Sequence, residues 1–216
     1  IPGLIICNSA SGMAQLNGMG IPADRMAVGG ALRFSGLSQP LYDPRAPILV
    51  AAPFDGEIGR QMVRACAAAD SNGREFLVKV HPMTPFDFIE TPSVRRTNIP
   101  FDRQPALSAV VFAATTVGLE GLLGGIPTIR FLPDGKISLD ILPGDIWVPV
   151  ATRETLEQAL ADASQPPKLT PDDFFGPIDF ELWRKDFKKI SQKMSQKKIS
   201  KDFNKISKRL QITTIR

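Results

Sequence analysis

The sequence of 216 residues has one histidine, two cysteines and no apolar run that approaches the length of a membrane span. Each scarcity closes off a class of function. A zinc site of the usual Cys/His kind takes four ligands, and Cys7, Cys66 and His81 supply only three. Two cysteines cannot build a disulfide scaffold. The longest apolar stretches, Pro47 to Pro53 and Ala109 to Ala114, fall far short of the roughly 20 residues that a spanning helix requires. No basic segment followed by an apolar run and a small-residue cleavage site opens the sequence, so a reducing cytoplasm is expected. The sequence also begins Ile1-Pro2-Gly3, which suggests a start inside a longer protein, near the entry to a strand.

What is present is the composition of a globular protein, with 43% hydrophobic and 22% charged residues, too apolar for disorder. The net charge of +4 conceals two bodies. Residues 1–180 carry 14 Lys+Arg against 19 Asp+Glu, a balance of −5, whereas residues 181–216 carry 12 against 3, a balance of +9. Attraction to a polyanion therefore belongs to the last 36 residues, because the acidic body would repel one. In that segment the near-repeats FKKIS, KKIS and NKIS begin at Phe187, Lys197 and Asn204. Phe187, Ile190 and Met194, then Ile199, Phe203, Ile206 and Leu210, form an apolar stripe at helical spacing with one slip. A basic amphipathic helix of this kind lies on an anionic membrane surface or docks on a partner. The alternatives are a helix packed on the acidic body and a charged, partly disordered terminus. Nucleic acid is not an expected partner, since arginines are few and the aromatics lie on the apolar stripe.

Along the body, Leu4-Ile5-Ile6 reads as a strand, Ala10 to Leu16 as a helix stopped at Gly18-Met19-Gly20, Met26 to Leu32 as a second strand, and Ser35 to Pro47 as a loop. Regular alternation then begins. Pro47 to Ala52 has the continuous apolar character of a strand buried on both faces. From Gly56 to Asp70 the residues Ile58, Met62, Val63, Cys66 and Ala69 share one helical stripe, which Asn72-Gly73 stops. Glu75 to Val80 is a strand that Pro82 ends, and Met83 to Arg103 has no sustained period and reads as a long loop. Leu107 to Ala114 is again a buried strand, Val117 to Leu123 a helix stopped by Gly124-Gly125, and Thr128 to Leu132 a strand. Thr152 can cap a last helix whose inward positions are Leu156, Leu160 and Ala163. This order predicts an α/β fold: a Rossmann-like, doubly wound parallel sheet forming a single domain over 1–180, with a basic helical tail over 181–216. Ligands of such sheets sit outside the carboxyl ends of the strands. The positions of interest are then Asn8-Ser9, Pro53 to Glu57, His81-Pro82 and Thr115-Thr116.

His81 stands at a strand end, held extended by Pro82, whose ring disfavours helix for the residue before it. An imidazole there can donate to phosphate oxygens, or it can be satisfied by a backbone carbonyl. Lys79, two residues earlier, shares its face. In Ala114-Thr115-Thr116-Val117-Gly118-Leu119-Glu120-Gly121 a strand turns into a helix through two hydroxyls and a glycine. Free N–H groups and hydroxyls at a helix start bind phosphate, or the hydroxyls simply cap the helix. Glu120 is the one charge in that otherwise apolar helix, and Thr116 misses capping-box spacing to it by one. It can accept the hydroxyls of a ribose, or it is merely solvent-exposed.

The string VKVHP, followed some thirty residues later by FAATTVGLEGLLGGIPTI, resembles the C-terminal, nucleotide-binding domain of GT-B glycosyltransferases. The likeness is to bacterial surface-polysaccharide transferases with a His-Pro motif and a hydroxyl-rich motif, including sialyl- and polysialyltransferases and the glycerophosphotransferases of teichoic acid synthesis. The opening CNSASGMAQLNGMGIPADRMAVGGALRF is similar to the passage between the two Rossmann-like domains of such enzymes. The resemblance covers residues 1 to about 165 and implies the donor-binding part of a transferase that moves a sugar from a CMP-, CDP- or UDP-linked donor, with no separate cofactor and no metal. It implies that His81 and Pro82 meet the phosphate or base, that Thr115, Thr116 and Gly118 form the phosphate-binding helix start, that Glu120 binds ribose, and that Gly29 and Gly30 line the donor crevice, with His81 as the catalytic group. Two departures stand out. The hydroxyl motif is Thr-Thr rather than Ser-Ser or Ser-Thr, and the acceptor-binding N-terminal domain, which usually supplies the general base, is absent from the sequence. The expected location is cytoplasmic, on the inner face of the membrane through residues 181–216. Within the same fold a sugar-nucleotide epimerase is the alternative; from another class, a non-catalytic module recruited to the membrane. A serine hydrolase is disfavoured, since no GxSxG elbow exists.

Overall fold

The computed structural model describes residues 4–34, 36, 38–69, 73–140, 142, 146–167, 169–185 and 187–188. The apolar stripe from Ile190 to Leu210, the opening Ile1-Pro2-Gly3 and the Asn72 of the helix stop lie outside them. By packing, the chain divides into two compact units, residues 1–32 with 175–216, and residues 33–174. The boundary drawn at residue 180 from charge falls inside the first of these.

In the first unit, β1 (Ile5–Cys7) pairs in parallel with β2 (Met26–Val28), Ile5 opposite Met26. Between them runs α1 (Ala10–Gly18), capped by Ser9, whose hydroxyl accepts from the Gly12 N–H at 3.1 Å. The expected strand over Met26 to Leu32 is shorter, because Gly29 and Gly30 end it. Segment 176–183 packs against its end within the same unit. The Trp183 indole N–H donates to the Gly29 carbonyl at 2.7 Å, and the Asp179 N–H donates to the same carbonyl at 3.2 Å.

The second unit is built on six parallel strands. In chain order these are β4 (Ile48–Ala51), β5 (Phe76–Lys79), β6 (Val94–Arg96), β8 (Ala109–Phe112), β9 (Thr128–Phe131) and β10 (Val150–Ala151). A separate parallel pair joins β3 (Leu41–Tyr42) to β7 (Ala106–Leu107). The spatial order β10-β9-β8-β4-β5-β6 is the doubly wound order of a Rossmann sheet. From β4 the chain winds outward through β5 to β6, and from β8 it winds the other way. β4 and β8 are buried at every residue, as central strands covered on both faces must be.

Alternation along these strands separates two cores. On one face Val50, Val78, Val111 and Phe131 lie under α2 (Gly56–Ala68) and α4 (Leu156–Ala161), with Ile58, Met62, Cys66, Leu156 and Leu160 completing the cluster. On the other face Val110 and Phe112 meet α3 (Val117–Leu123), which comes so near that a Cβ on Gly118 would lie 2.5 Å from the Phe112 ring. A short helix, α5 (Pro171–Phe174), ends the unit.

Three corrections to the expected elements follow from local physics. The long loop from Met83 to Arg103 contains β6, an edge strand of Val-Arg-Arg whose Arg95 pairs with Glu75, the residue just before β5. The last helix begins after Thr155 rather than Thr152, and the Thr155 hydroxyl accepts from the Thr152 N–H at 2.9 Å. Finally, β10 adds a two-residue strand beside β9.

Candidate functional site

In a sheet of this order the crevice lies outside the carboxyl ends of the strands where the winding reverses, here between β4 and β8. Three turns meet that rim: Ala52 to Asp55 after β4, Val80 to Thr84 after β5, and Ala113 to Thr116 after β8.

The turn after β4 ends at Asp55, which caps α2. Its Oδ1 accepts from the Glu57 N–H at 2.8 Å, and Lys136 pairs with its Oδ2 at 3.3 Å. The Glu57 N–H bond holds this carboxyl below its ordinary value, with Lys136 adding to the effect. The start of the longest helix on the rim therefore already holds an anion, and a ligand phosphate would meet repulsion there. The turn itself holds no glycine, and Asp55 already takes the Glu57 and Ile58 N–H groups that a phosphate at this helix start would use. It does present Phe54, 59% exposed.

The turn after β5 carries His81, half-buried at its opening. The Thr84 N–H donates to the His81 carbonyl at 3.2 Å, with Pro82 exposed at the second position, where its fixed φ suits a tight turn. The Met83 N–H donates to His81 Nδ1 at 3.3 Å. With Nδ1 accepting, the donor that the ring keeps is Nε2–H. The ring packs edge-on against Phe54, centroids 5.4 Å apart at 72°. His81 is thus tied to a backbone N–H rather than to a carbonyl.

The turn after β8 contains Ala114 at φ 46°, a left-handed conformation unusual for alanine that costs roughly 1–2 kcal/mol. The Thr115 hydroxyl accepts from the Val117 N–H at 3.1 Å and so caps α3. The Thr116 side chain makes no capping bond and is exposed.

Glu120 is neither solvent-exposed nor unclaimed. Its side chain is 11% exposed, and its Oε1 accepts from Arg33 Nη2 at 2.7 Å. Burial pushes its carboxyl above the ordinary value of 4.5. The charge and hydrogen bond of Arg33 oppose that rise, Asp102 adds to it, and Lys79 at the end of β5 opposes it. Arg33 carries no local signal in the sequence, because 87 residues separate it from Glu120.

The predicted site residues thus divide. His81, Pro82, Thr115, Thr116, Gly118 and Glu120 belong to the second unit, the first four on rim turns. Gly118 sits inside α3, where packing on Phe112 accounts for the absence of a side chain. Gly29 and Gly30 belong to the first unit, and their bareness serves contacts within it. A Cβ on Gly29 would lie 3.0 Å from the Trp183 indole nitrogen, and one on Gly30, at φ 70°, would lie 2.7 Å from the Gly176 carbonyl.

Cys7 and Cys66 are free and buried, and burial pushes the Cys66 thiol well up. Among the described residues no group of three or more His, Cys, Asp or Glu could hold a metal, and no helix is long and apolar enough to cross a membrane. A cavity of about 620 Å³ lies at the opposite, amino-terminal rim, lined by Tyr42, Arg45, Arg74, Glu75 and Ser108 among others.

Strand order defines a doubly wound, Rossmann-like α/β domain, with the turns after β4, β5 and β8 at its carboxyl edge. Among solved structures the chain is similar to the glycotransferase of kitacinnamycin, at 12% identity and a TM-score of 0.41 over 74% of this chain and 46% of that one. It is also similar to the calicheamicin glycosyltransferase, at 22% identity and a TM-score of 0.35 over 61% of this chain and 34% of that one. Both scores lie below 0.5, so the fold class rests on the strand order itself. The chain spans less than half the length of either structure. No protein-family model and no curated protein matches the sequence.

Proposed function

We propose that residues 33–174 hold a nucleotide-activated donor at the carboxyl rim, as the donor-binding part of a glycosyltransferase that builds a surface polysaccharide. The observation that carries this reading is the position of the chain's one imidazole on that rim, beside Phe54, with its Nδ1 already taken and its Nε2–H left as a donor. The exposed Phe54 ring supplies an aromatic surface for a base, and Thr116 contributes a hydroxyl that no cap consumes. Glycosyl transfer breaks the bond between the anomeric carbon and the phosphate oxygen while an acceptor oxygen bonds to that carbon. The negative charge that develops is on the departing phosphate. His81 Nε2–H would donate to it, and Lys79, on the same face of the strand, would offset its charge. The acceptor and the base that takes its proton would come from a further domain. The two-stranded parallel sheet of the first unit favours such a domain, since parallel sheets are normally covered on both faces.

Calorimetric titration of CMP, CDP, UDP and GDP into the protein tests the reading. At least one should bind, and His81→Ala should weaken it about tenfold, the worth of a hydrogen bond to a charged group. Unchanged affinity in that variant would remove the histidine from the site.

A further inference from the structure

Resting on that donor reading, we infer that Arg33 is the phosphate-binding group of the site and that Glu120 is the positioning residue that aims it. The pair is asymmetric. Glu120 is buried on α3 at 11% side-chain exposure, whereas Arg33 is 62% exposed. One N–H of the guanidinium is spent on Glu120 at 2.7 Å, and Arg33 makes no other hydrogen bond among the described residues, so most of its five donors remain for a ligand.

A half-exposed ion pair of this kind is a poor stabilising device. Desolvating a carboxylate costs several kcal/mol, and an apolar residue at position 120 would fill α3 at least as well. The arrangement does anchor an otherwise flexible guanidinium at one N–H, which restrains where its remaining N–H groups can reach, and such restraint favours bidentate recognition of phosphate oxygens. Lys79 acts on the same carboxylate and makes no ion pair or hydrogen bond among the described residues. Asp102 acts on it as well, which leaves Arg33, Lys79, Glu120 and Asp102 without net charge. Diffuse attraction for anions is therefore not the basis of the site; the directed fork of Arg33 is. The ligand chemistry this selects is the phosphate of a nucleotide, with two oxygens of one phosphoryl group facing the fork. Glu120 then serves the donor indirectly, through Arg33, rather than by holding ribose.

A double-variant cycle tests this with CDP and UDP, each titrated against its own nucleoside. Arg33→Ala should lose about tenfold or more in nucleotide affinity and leave the nucleoside unaffected. Glu120→Gln should weaken nucleotide binding less, and Arg33→Ala in the Glu120→Gln background should remain as weak as Arg33→Ala alone. That background also guards against a folding defect, since it leaves no uncompensated buried charge. Restored nucleotide affinity in the double variant would mean that Arg33 only neutralises Glu120, and it would overturn the inference alone, as would an Arg33→Ala variant that binds like the parent. A parent protein that binds no nucleotide would overturn the donor reading and this inference with it.

Discussion

At the scale of single residues, chemistry at the rim is governed by which polar atoms are already committed. His81 has lent Nδ1 to the backbone, Thr115 has lent its hydroxyl to α3, Asp55 occupies the start of α2, and Glu120 is bound to Arg33. What remains for a ligand is the Nε2–H of His81, the Thr116 hydroxyl, Lys79 and the fork of Arg33. Glu120 also gives a pH signature. Because burial raises its carboxyl above 4.5, the folded state holds that proton more tightly than the unfolded chain does. The stability this brings is complete below 4.5 and is lost as pH rises through the raised value. Glu120→Gln lacks the titration, so urea unfolding from acid to neutral pH should show the parent losing stability relative to the variant over that window. A difference that stays level with pH would contradict the buried state described for Glu120. Sequence alone made His81, Thr115, Thr116 and Glu120 visible, since unusual residue types at element boundaries are local signals. It could not show Arg33, or Ala114 in a left-handed turn, because the first depends on a distant partner and alanine carries no mark of positive φ.

At the scale of elements, β1, β2, β4, β5, β8 and β9 and the helices α1 to α4 were legible, because apolar runs, helical stripes and glycine or proline stops mark them locally. The strands that were not are two or three residues long. β6 offers one apolar residue and two arginines, and β3, β7 and β10 have two residues each; such strands exist because a neighbour supplies the ladder. Glycines in α3 carried a second meaning. Gly118 read as part of a phosphate-binding turn, yet a Cβ there would fall 2.5 Å from Phe112, which is fully buried, and one on Gly121 would fall 2.6 Å from the Thr128 hydroxyl. Overpacking of this sort costs roughly 1–3 kcal/mol. Gly118→Ala should therefore lower the urea midpoint by a corresponding amount, and an unchanged midpoint would show that α3 can lift from the sheet without cost.

At the scale of the whole molecule, the doubly wound order concentrates loop ends from β4, β5 and β8 at one edge, and every group proposed for the donor, Arg33 included, belongs to the unit of residues 33–174. That unit also offers a rival, the cavity at the amino-terminal rim with Arg45 and Arg74 in its lining. Topology favours the carboxyl rim, where strands end and turns into helices begin. A division at residue 180 follows charge, whereas the packed units follow contacts that bring residues 176–183 to the end of β2; charge composition carries no information on that return. The two rims give the most direct test. Backbone amide shifts recorded while the tightest-binding nucleotide of the panel is titrated should move at Phe54, His81, Thr115 and Thr116 and stay still at Arg45, Arg74 and Ser108. Movement confined to the latter three would place the ligand at the wrong end of the sheet and contradict the account.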